Sequence, residues 1–170
     1  AAVPAAPARP EAVADDLFAA APAAGDAPSA PAAASPALVT PTAEARYQTV
    51  LTEAALADWL ARLTTAPRAA FDTETDSLDP MRANLVGISL SVKPGKACYI
   101  PLAHSAPGVA AQLPRDAVLA ALRPLLADPA KKKLGQHGKY DIHVLRRHGI
   151  EVQGYADDTM LESFVLNSTA

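Results

Sequence analysis

Arg68-Ala69-Ala70-Phe71-Asp72-Thr73-Glu74 is an apolar run that closes on two carboxylates. It reads as a β-strand, and the period of two puts Asp72 and Glu74 on one sheet face with Cα atoms roughly 6.6 Å apart. Two more strand-like segments follow, Asn84–Val92 and Lys96–Leu102, with the tight-turn pair Pro94-Gly95 between them. Connections this short imply an antiparallel meander of three strands.

Upstream, Arg46 to Leu51 reads as a short strand. Thr52 then caps a helix whose Leu56, Trp59, Leu60 and Leu63 fall on one face, and Pro67 ends it. Downstream, Pro114 opens a helix carrying Val118, Leu119, Leu122, Leu125 and Leu126. Pro124 inside it predicts a kink or early fraying. A strand near Lys132–Gly135, a helix over Lys139–His148 stopped by Gly149, a strand at Tyr155–Asp158 and a helix over Thr159–Asn167 capped by Asp158 complete the order. Strands alternating with helices add parallel neighbours to the meander, so the fold class is α/β, a mixed sheet with helices packed on it.

The chain has 170 residues, a prior for one domain. Residues 1–42 are almost all Ala, Pro, Ser and small polar residues and read as a disordered, partly extended interdomain linker. The folded part is expected over residues 43–170, and both ends of the sequence read as cuts in a longer polypeptide. A net charge of −3 and a pI of about 5.8 exclude a protein that coats duplex DNA by bulk positive charge. Any nucleic-acid contact must be local or mediated by bound cations. One cysteine, Cys98, excludes an internal disulfide. There is neither a signal peptide pattern nor a run of 18 or more apolar residues, so the expectation is a soluble cytoplasmic protein with no membrane partner.

Two carboxylates ~5 Å apart at an effective dielectric of ~20 repel by on the order of 3 kcal/mol. A divalent cation reverses that sign, and Mg²⁺ or Mn²⁺ favours such oxygen ligands. An isolated D-x-E more often just ends a strand in a solvated turn. The second candidate is Leu134-Gly135-Gln136-His137-Gly138-Lys139-Tyr140-Asp141, a strand-to-helix passage where α/β proteins place ligand sites. Asp141 lies in the first helical turn, where it can face the strand-end pair or simply favour the helix N-terminus.

Together, Phe71-Asp72-Thr73-Glu74-Thr75-Asp76-Ser77-Leu78-Asp79, Ala83-Asn84-Leu85-Val86-Gly87, Tyr99-Ile100-Pro101, Gly135-Gln136 with Lys139-Tyr140-Asp141, and Asp158-Thr159-Met160-Leu161-Glu162-Ser163 resemble the proofreading 3′→5′ exonuclease domain of bacterial family A DNA polymerases. The resemblance covers Arg46–Ala170. It implies an RNase H-like fold and a two-metal site of four carboxylates that trims DNA 3′ ends, single-stranded or frayed. It makes Asp72, Glu74 and Asp141 catalytic metal ligands for Mg²⁺ or Mn²⁺. It further implies that Leu78 wedges against the terminal base, that Tyr140 touches the substrate strand, and that Thr75, Gln136 and His137 lie in the substrate site; the family usually carries Asn where this chain has His137. The family's third motif, Tyr-x-x-x-Asp, is absent from these 170 residues. The fragment alone is therefore expected to be inactive, within a monomeric, nucleoid-associated parent with a polymerase domain in cis. A non-catalytic scaffold and an RNA-trimming relative are the rival readings.

Other residues carry weaker signals. Lys131-Lys132-Lys133 reads as a phosphate contact or a solvated strand entry, and Arg146-Arg147 as solvated surface. His143 and His148 are five apart and poorly placed for zinc. His104 reads as a loop surface residue and Cys98 as a small core residue. Ser77 and Ser89 have no evident His/Asp partner for hydrolase chemistry.

Overall fold

The computed structural model describes residues 45–168, so the expected linker at 1–42 lies outside the described residues. Ten elements follow one another: β1 (Arg46–Thr49), α1 (Glu53–Thr65), β2 (Arg68–Thr75), β3 (Leu85–Lys93), β4 (Lys96–Pro101), α2 (Arg115–Leu126), β5 (Lys132–Gly135), α3 (Lys139–Arg147), β6 (Tyr155–Asp158) and α4 (Thr159–Leu166). The six strands form one sheet in the order β1-β4-β3-β2-β5-β6. β2, β3 and β4 are the antiparallel meander; β1 joins β4, β5 joins β2 and β6 joins β5, all parallel. The mixed α/β sheet read from the sequence is thus observed.

Alternation in β2 sorts the two sheet faces. Ala69, Phe71 and Thr73 are buried, whereas Asp72 and Glu74 are exposed. The buried face continues through Leu85, Ile88 and Leu90 of β3 and Cys98 and Ile100 of β4. Against it lie Leu56, Trp59 and Leu63 of α1, Val118, Leu119 and Leu122 of α2, and Val144 and Leu145 of α3. Each such large apolar side chain contributes about 1.5–3 kcal/mol on burial, so the helices are held to the sheet mainly by this stripe. Burial also pushes the Cys98 thiol up to about 12, against the smaller opposing pull of the Leu90 backbone and Arg62.

The Thr52 hydroxyl accepts from the Ala55 N–H at 3.3 Å, which starts α1 as its cap position requires. α2 runs two residues past Pro124 before it ends. Leu125 and Leu126 are buried, and the Ala127 N–H closes the last turn on the Arg123 carbonyl at 2.9 Å. Among the described residues, no helix is long and apolar enough to cross a membrane.

Two of the three lysines in the run are committed to backbone carbonyls. The Lys131 ammonium donates to the Thr64 and Ala66 carbonyls, where α1 ends. Lys133 is fully buried, and its ammonium donates to the Asp128 carbonyl and to the Gln153 carbonyl at 2.7 Å. Desolvation holds its pKa below the ordinary lysine value, more than the neighbouring Asp128 raises it. Lys133→Met keeps the stem but leaves the Gln153 carbonyl without its donor and the Asp128 carbonyl with only the Lys131 N–H at 3.3 Å. At ~1–3 kcal/mol for an unsatisfied buried group, offset by relief of ammonium desolvation, a net loss of about 2 kcal/mol is expected from the urea midpoint. An unchanged midpoint would show that the Gln153 carbonyl finds another donor.

Candidate active site

β5 pairs with β2 only over Arg68–Ala70, and past that point the two strands part. The N-terminus of α3 enters the gap. Its Asp141 is 2% exposed and accepts from the Thr73 N–H at 2.9 Å and the Thr73 hydroxyl at 2.5 Å, both on Oδ1. The freed edge of β2 is thus satisfied by a side chain rather than by a strand. On its other edge β2 stays paired, with Asp72 opposite Ser89 and Glu74 opposite Gly87.

Asp72 and Glu74 share the open face, as the strand period requires. Asp72 borders a groove of about 460 Å³ with Ser89, Leu134, Gln136, His137 and Thr159. Partial enclosure pushes the Asp72 carboxyl up from its ordinary value. Burial also raises that of Asp141, against the hydrogen bonds from Thr73, and the Asp72 charge adds to the rise. The two carboxylates therefore feel one another. Yet Asp141 meets β2 through Thr73, whose side chain points away from the Asp72/Glu74 face. Among the described residues, no three His, Cys, Asp or Glu side chains converge closely enough to hold a metal ion. The expected meeting of three carboxylates at one point is reduced here to a pair on one face and a third group behind it.

The other site residues divide. Leu78 is 96% exposed at the tip of the turn after β2. Tyr140 is turned inward instead: its hydroxyl bonds to the Thr75 hydroxyl and donates to the Ser77 carbonyl, so it ties this turn to α3. The Thr75 hydroxyl also lies 3.0 Å from the Ser77 carbonyl; with Tyr140 donating there, its single proton goes either to the Tyr140 oxygen or to that carbonyl. Gln136 and His137 are both exposed at the groove. His137 has φ +58°, in the left-handed region. Asn and His are among the residues that tolerate this region best. Asn as the family's usual residue here, and His as its replacement, thus share a backbone reason.

Several further contributors stand in the quoted motifs or nearby, but nothing local in the sequence gives them their partners. The Asp76 carboxylate accepts from the Asn84 N–H at 2.7 Å and the Asn84 side-chain amide at 2.8 Å, and these bonds hold it below the ordinary range. Asp79 Oδ1 accepts from the Met81 N–H at 2.9 Å. These acids build the turn that presents Leu78. Gly87 lets the Tyr99 ring lie across β3, since a Cβ there would sit 1.9 Å from its hydroxyl. Burial first and then the Glu74 charge raise the Tyr99 pKa, which places its phenol beside the site. Its hydroxyl is 2.5 Å from His104 Nε2, on an exposed loop as expected for that histidine. His148 Nε2 accepts from the Leu85 N–H at 3.3 Å. Arg147, a solvated surface residue by its sequence context, is exposed but donates to the Ala83 carbonyl.

Asp158 does more than cap a helix. It accepts from the Met160 and Leu161 N–H groups at 3.1 and 3.4 Å, and also from the His137 and Gly138 N–H groups at 3.0 Å each and the Tyr155 hydroxyl at 2.9 Å. Gly138 is needed there, because a Cβ would sit 2.2 Å from that hydroxyl. Burial acts upward on the Asp158 carboxyl, but the bonds from His137, Tyr155, Gly138 and Leu161 outweigh it and bring it down to about 2. Folded below unfolded means the bound proton favours the unfolded chain. Its contribution is complete above the ordinary value of 3.8 and is lost as pH falls through about 2. Urea midpoints taken between about pH 6 and pH 2 should fall on the acid side in the natural chain. Asp158→Asn should start lower and change less; parallel profiles would show that this carboxylate is not the titrating group.

The model of a family described as 3′-5′ exonuclease matches residues 47–170. The DNA polymerase I of Pseudomonas aeruginosa is 56% identical over 130 residues, which cover 75% of this chain and 14% of that protein. The chain thus spans about one seventh of the length of that relative. The crystal structure of Escherichia coli RNase D, an exoribonuclease involved in structured RNA processing, matches with a TM-score of 0.50 and 26% identity, over 70% of this chain and 29% of that one. Brucella melitensis NrnC with bound Mg²⁺ matches with a TM-score of 0.52 and 22% identity, over 75% of this chain and 56% of that one. The sheet and its helices are those of the RNase H-like exonucleases.

Proposed function

Because the chain belongs to the 3′-5′ exonuclease family found in A-type DNA polymerases, we propose that it forms part of a metal-dependent proofreading site that hydrolyses the terminal phosphodiester of DNA 3′ ends. One observation carries this reading: Asp72 and Glu74 stand side by side on the open face of β2, with Asp141 within electrostatic reach of Asp72. The donor set fits Mg²⁺ or Mn²⁺, being hard carboxylate oxygens whose mutual repulsion a cation offsets. Asp72 and Glu74 would hold such ions directly. Asp141, whose Oδ1 is committed to Thr73, has its second oxygen outside both bonds. When bound, a pair of divalent cations supplies the charge that stabilises the scissile phosphate and makes water nucleophilic near neutral pH.

The chain's own residues position the strand end. Leu78 projects from a turn fixed by Asp76, Asp79 and Tyr140, which suits an apolar wedge against an unstacked terminal base. Tyr140 acts through that turn rather than by reaching the strand with its hydroxyl. Thr75 belongs to the same latch, and Gln136 and His137 line the groove beside Asp72. These 170 residues contain no Tyr-x-x-x-Asp. We therefore expect trimming by them alone to stay near background, and to appear when the polypeptide is prolonged to include that motif. The parent protein on this reading is a monomeric cytoplasmic, nucleoid-associated DNA polymerase I with its polymerase domain in cis, and residues 1–42 are its interdomain linker. The likeness to RNase D favours a second reading, in which the substrate is RNA. The test is release of a 3′ label from single-stranded DNA and RNA in Mg²⁺ by the prolonged polypeptide. Preference for RNA moves the substrate class, and no release from either supports a non-catalytic scaffold.

A further inference from the structure

Tyr99 stands on the open face beside Glu74. β4 sets it in register with Ser89, and Ser89 faces Asp72 across β3 and β2, so the three share one row of that face. Its ring leans over Gly87, the cross-strand partner of Glu74. A Cβ on Gly87 would lie 1.9 Å from the phenol oxygen, so the hydroxyl stands almost where a side chain opposite Glu74 would begin. Cross-strand Cβ atoms are ~4.5–5.5 Å apart, a span that a glutamate side chain can close by rotation. Glycine inside a strand weakens it and marks the close approach of another group, which here is this phenol. The Glu74 charge already acts on the phenol, second to burial. On its other side the hydroxyl meets His104 Nε2 at 2.5 Å, with the rings edge to face and their centroids 5.8 Å apart. His104 is exposed, yet the chain anchors it. The Leu102 and Ala103 N–H groups both donate to the Val86 carbonyl, at 2.8 and 3.0 Å. The His104 N–H donates to Gln112 Oε1 at 2.9 Å, and Gln112 Nε2 donates to the His104 carbonyl at 2.7 Å.

We propose that Tyr99 is a positioning residue of the carboxylate site: His104 Nε2–H donates to the phenol oxygen, and the phenol donates to the Glu74 carboxylate and orients it toward the cations. The assignment rests on the metal-binding role proposed for Glu74. Proton count selects the direction. A phenol carries one proton, a carboxylate only accepts, and a neutral imidazole nitrogen can do either. Both neighbours of the Tyr99 oxygen are satisfied only when His104 gives and Glu74 receives. The reverse tautomer spends the phenol proton on His104 and leaves lone pairs facing the Glu74 charge. Glu74 accepts no side-chain hydrogen bond among the described residues, so Tyr99 is the donor placed to supply one. Such bonds are often open in the unliganded site and close once it is loaded. A carboxylate that holds a metal is usually hydrogen-bonded in turn, and loss of that partner typically costs ~10–100-fold in affinity or activity.

Nitrogen NMR of the 170-residue chain at about pH 9, with and without Mg²⁺, reads the His104 tautomer. The proton should sit on Nε2 once Mg²⁺ is present; a proton on Nδ1 under both conditions overturns the assignment. Mn²⁺ titration of the same chain, followed by electron paramagnetic resonance, reads the effect on the ion. Tyr99→Phe should bind Mn²⁺ roughly 10–100-fold more weakly. His104→Ala should do the same, whereas His104→Gln, which keeps an N–H at that end, should recover most of the affinity. With Glu74→Gln already present, Tyr99→Phe should change nothing further. Thermal melts check that each variant is folded. Equal Mn²⁺ affinity in Tyr99→Phe overturns the assignment, as does an undiminished loss in the Glu74→Gln background. In the polypeptide prolonged to carry a Tyr-x-x-x-Asp motif, Tyr99→Phe should lower kcat and leave KM for the DNA end nearly unmoved. A change confined to KM would make Tyr99 a contact to the strand and overturn its action through Glu74. No Mn²⁺ binding by the natural chain sinks the metal reading of Glu74 and this one with it. Intact coupling of Tyr99 to Glu74, beside a prolonged polypeptide that trims nothing, sinks the exonuclease reading alone.

Discussion

Asp72→Ala in a polypeptide extended to carry a Tyr-x-x-x-Asp motif is expected to slow 3′-end release by roughly 10³–10⁵-fold, with the melting temperature almost unmoved. The size follows from the chemistry assigned to the carboxylate. A group that holds a cation against the reacting phosphate supports several kcal/mol of transition-state charge stabilisation, and each 1.36 kcal/mol is about a factor of ten. The small stability effect follows from position. Asp72 is exposed, its backbone stays paired with Ser89, and it makes none of the side-chain hydrogen bonds seen at Asp76, Asp141 or Asp158. Exposed substitutions without such partners usually stay within about 0.5 kcal/mol. Glu74→Ala should behave likewise. Asp79→Ala, which removes only a bond to the Met81 N–H, should affect release far less. Single-turnover label release beside thermal melts separates the two effects. A rate for Asp72→Ala within about tenfold of the natural sequence would remove the residue from the reaction.

Why these positions are legible in the sequence and others are not comes down to range. The open-face placement of Asp72 and Glu74 needs only the strand period, which a short stretch of chain sets. The meander needs only Pro94-Gly95 and the brevity of its turns. The parallel pairing of β1 with β4 spans some fifty residues of chain, and no local pattern encodes it. The same holds for Asp141. Its place in the first helical turn is readable, but its bonds to Thr73 cross 68 positions and exist because β5 separates from β2 after Ala70. Tyr140 is a further case of partners that no local pattern encodes. Family likeness implies a contact to the substrate strand, and packing gives its hydroxyl partners in Thr75 and Ser77. The partners of Lys131 and Lys133 are hidden for a simpler reason: charge in sequence says nothing about the carbonyls at the end of α1 and at Gln153 that these ammonium groups meet.

Asp141 offers a prediction in which structure and chemistry can be pulled apart. Asp141→Ala removes the acceptor of a buried backbone N–H and of a hydroxyl at once. Leaving the Thr73 N–H unsatisfied costs about 1–3 kcal/mol, and losing the charged acceptor adds to it, so a drop of about 2–4 kcal/mol is expected. For a domain of this size that is on the order of 10 °C in melting temperature. Asp141→Asn keeps Oδ1 as an acceptor for both donors while removing a charge that is desolvated and repelled by Asp72. It should melt at or above the natural chain. Thr73→Val, which deletes the hydroxyl and keeps the N–H, should fall between the two. Mn²⁺ affinity should follow a different order, falling in both Asp141 variants but not in Thr73→Val, because only the carboxylate charge matters to the ion. If Asp141→Asn binds Mn²⁺ as the natural chain does, this side chain serves the fold alone, and the cations, where they bind, depend on Asp72 and Glu74.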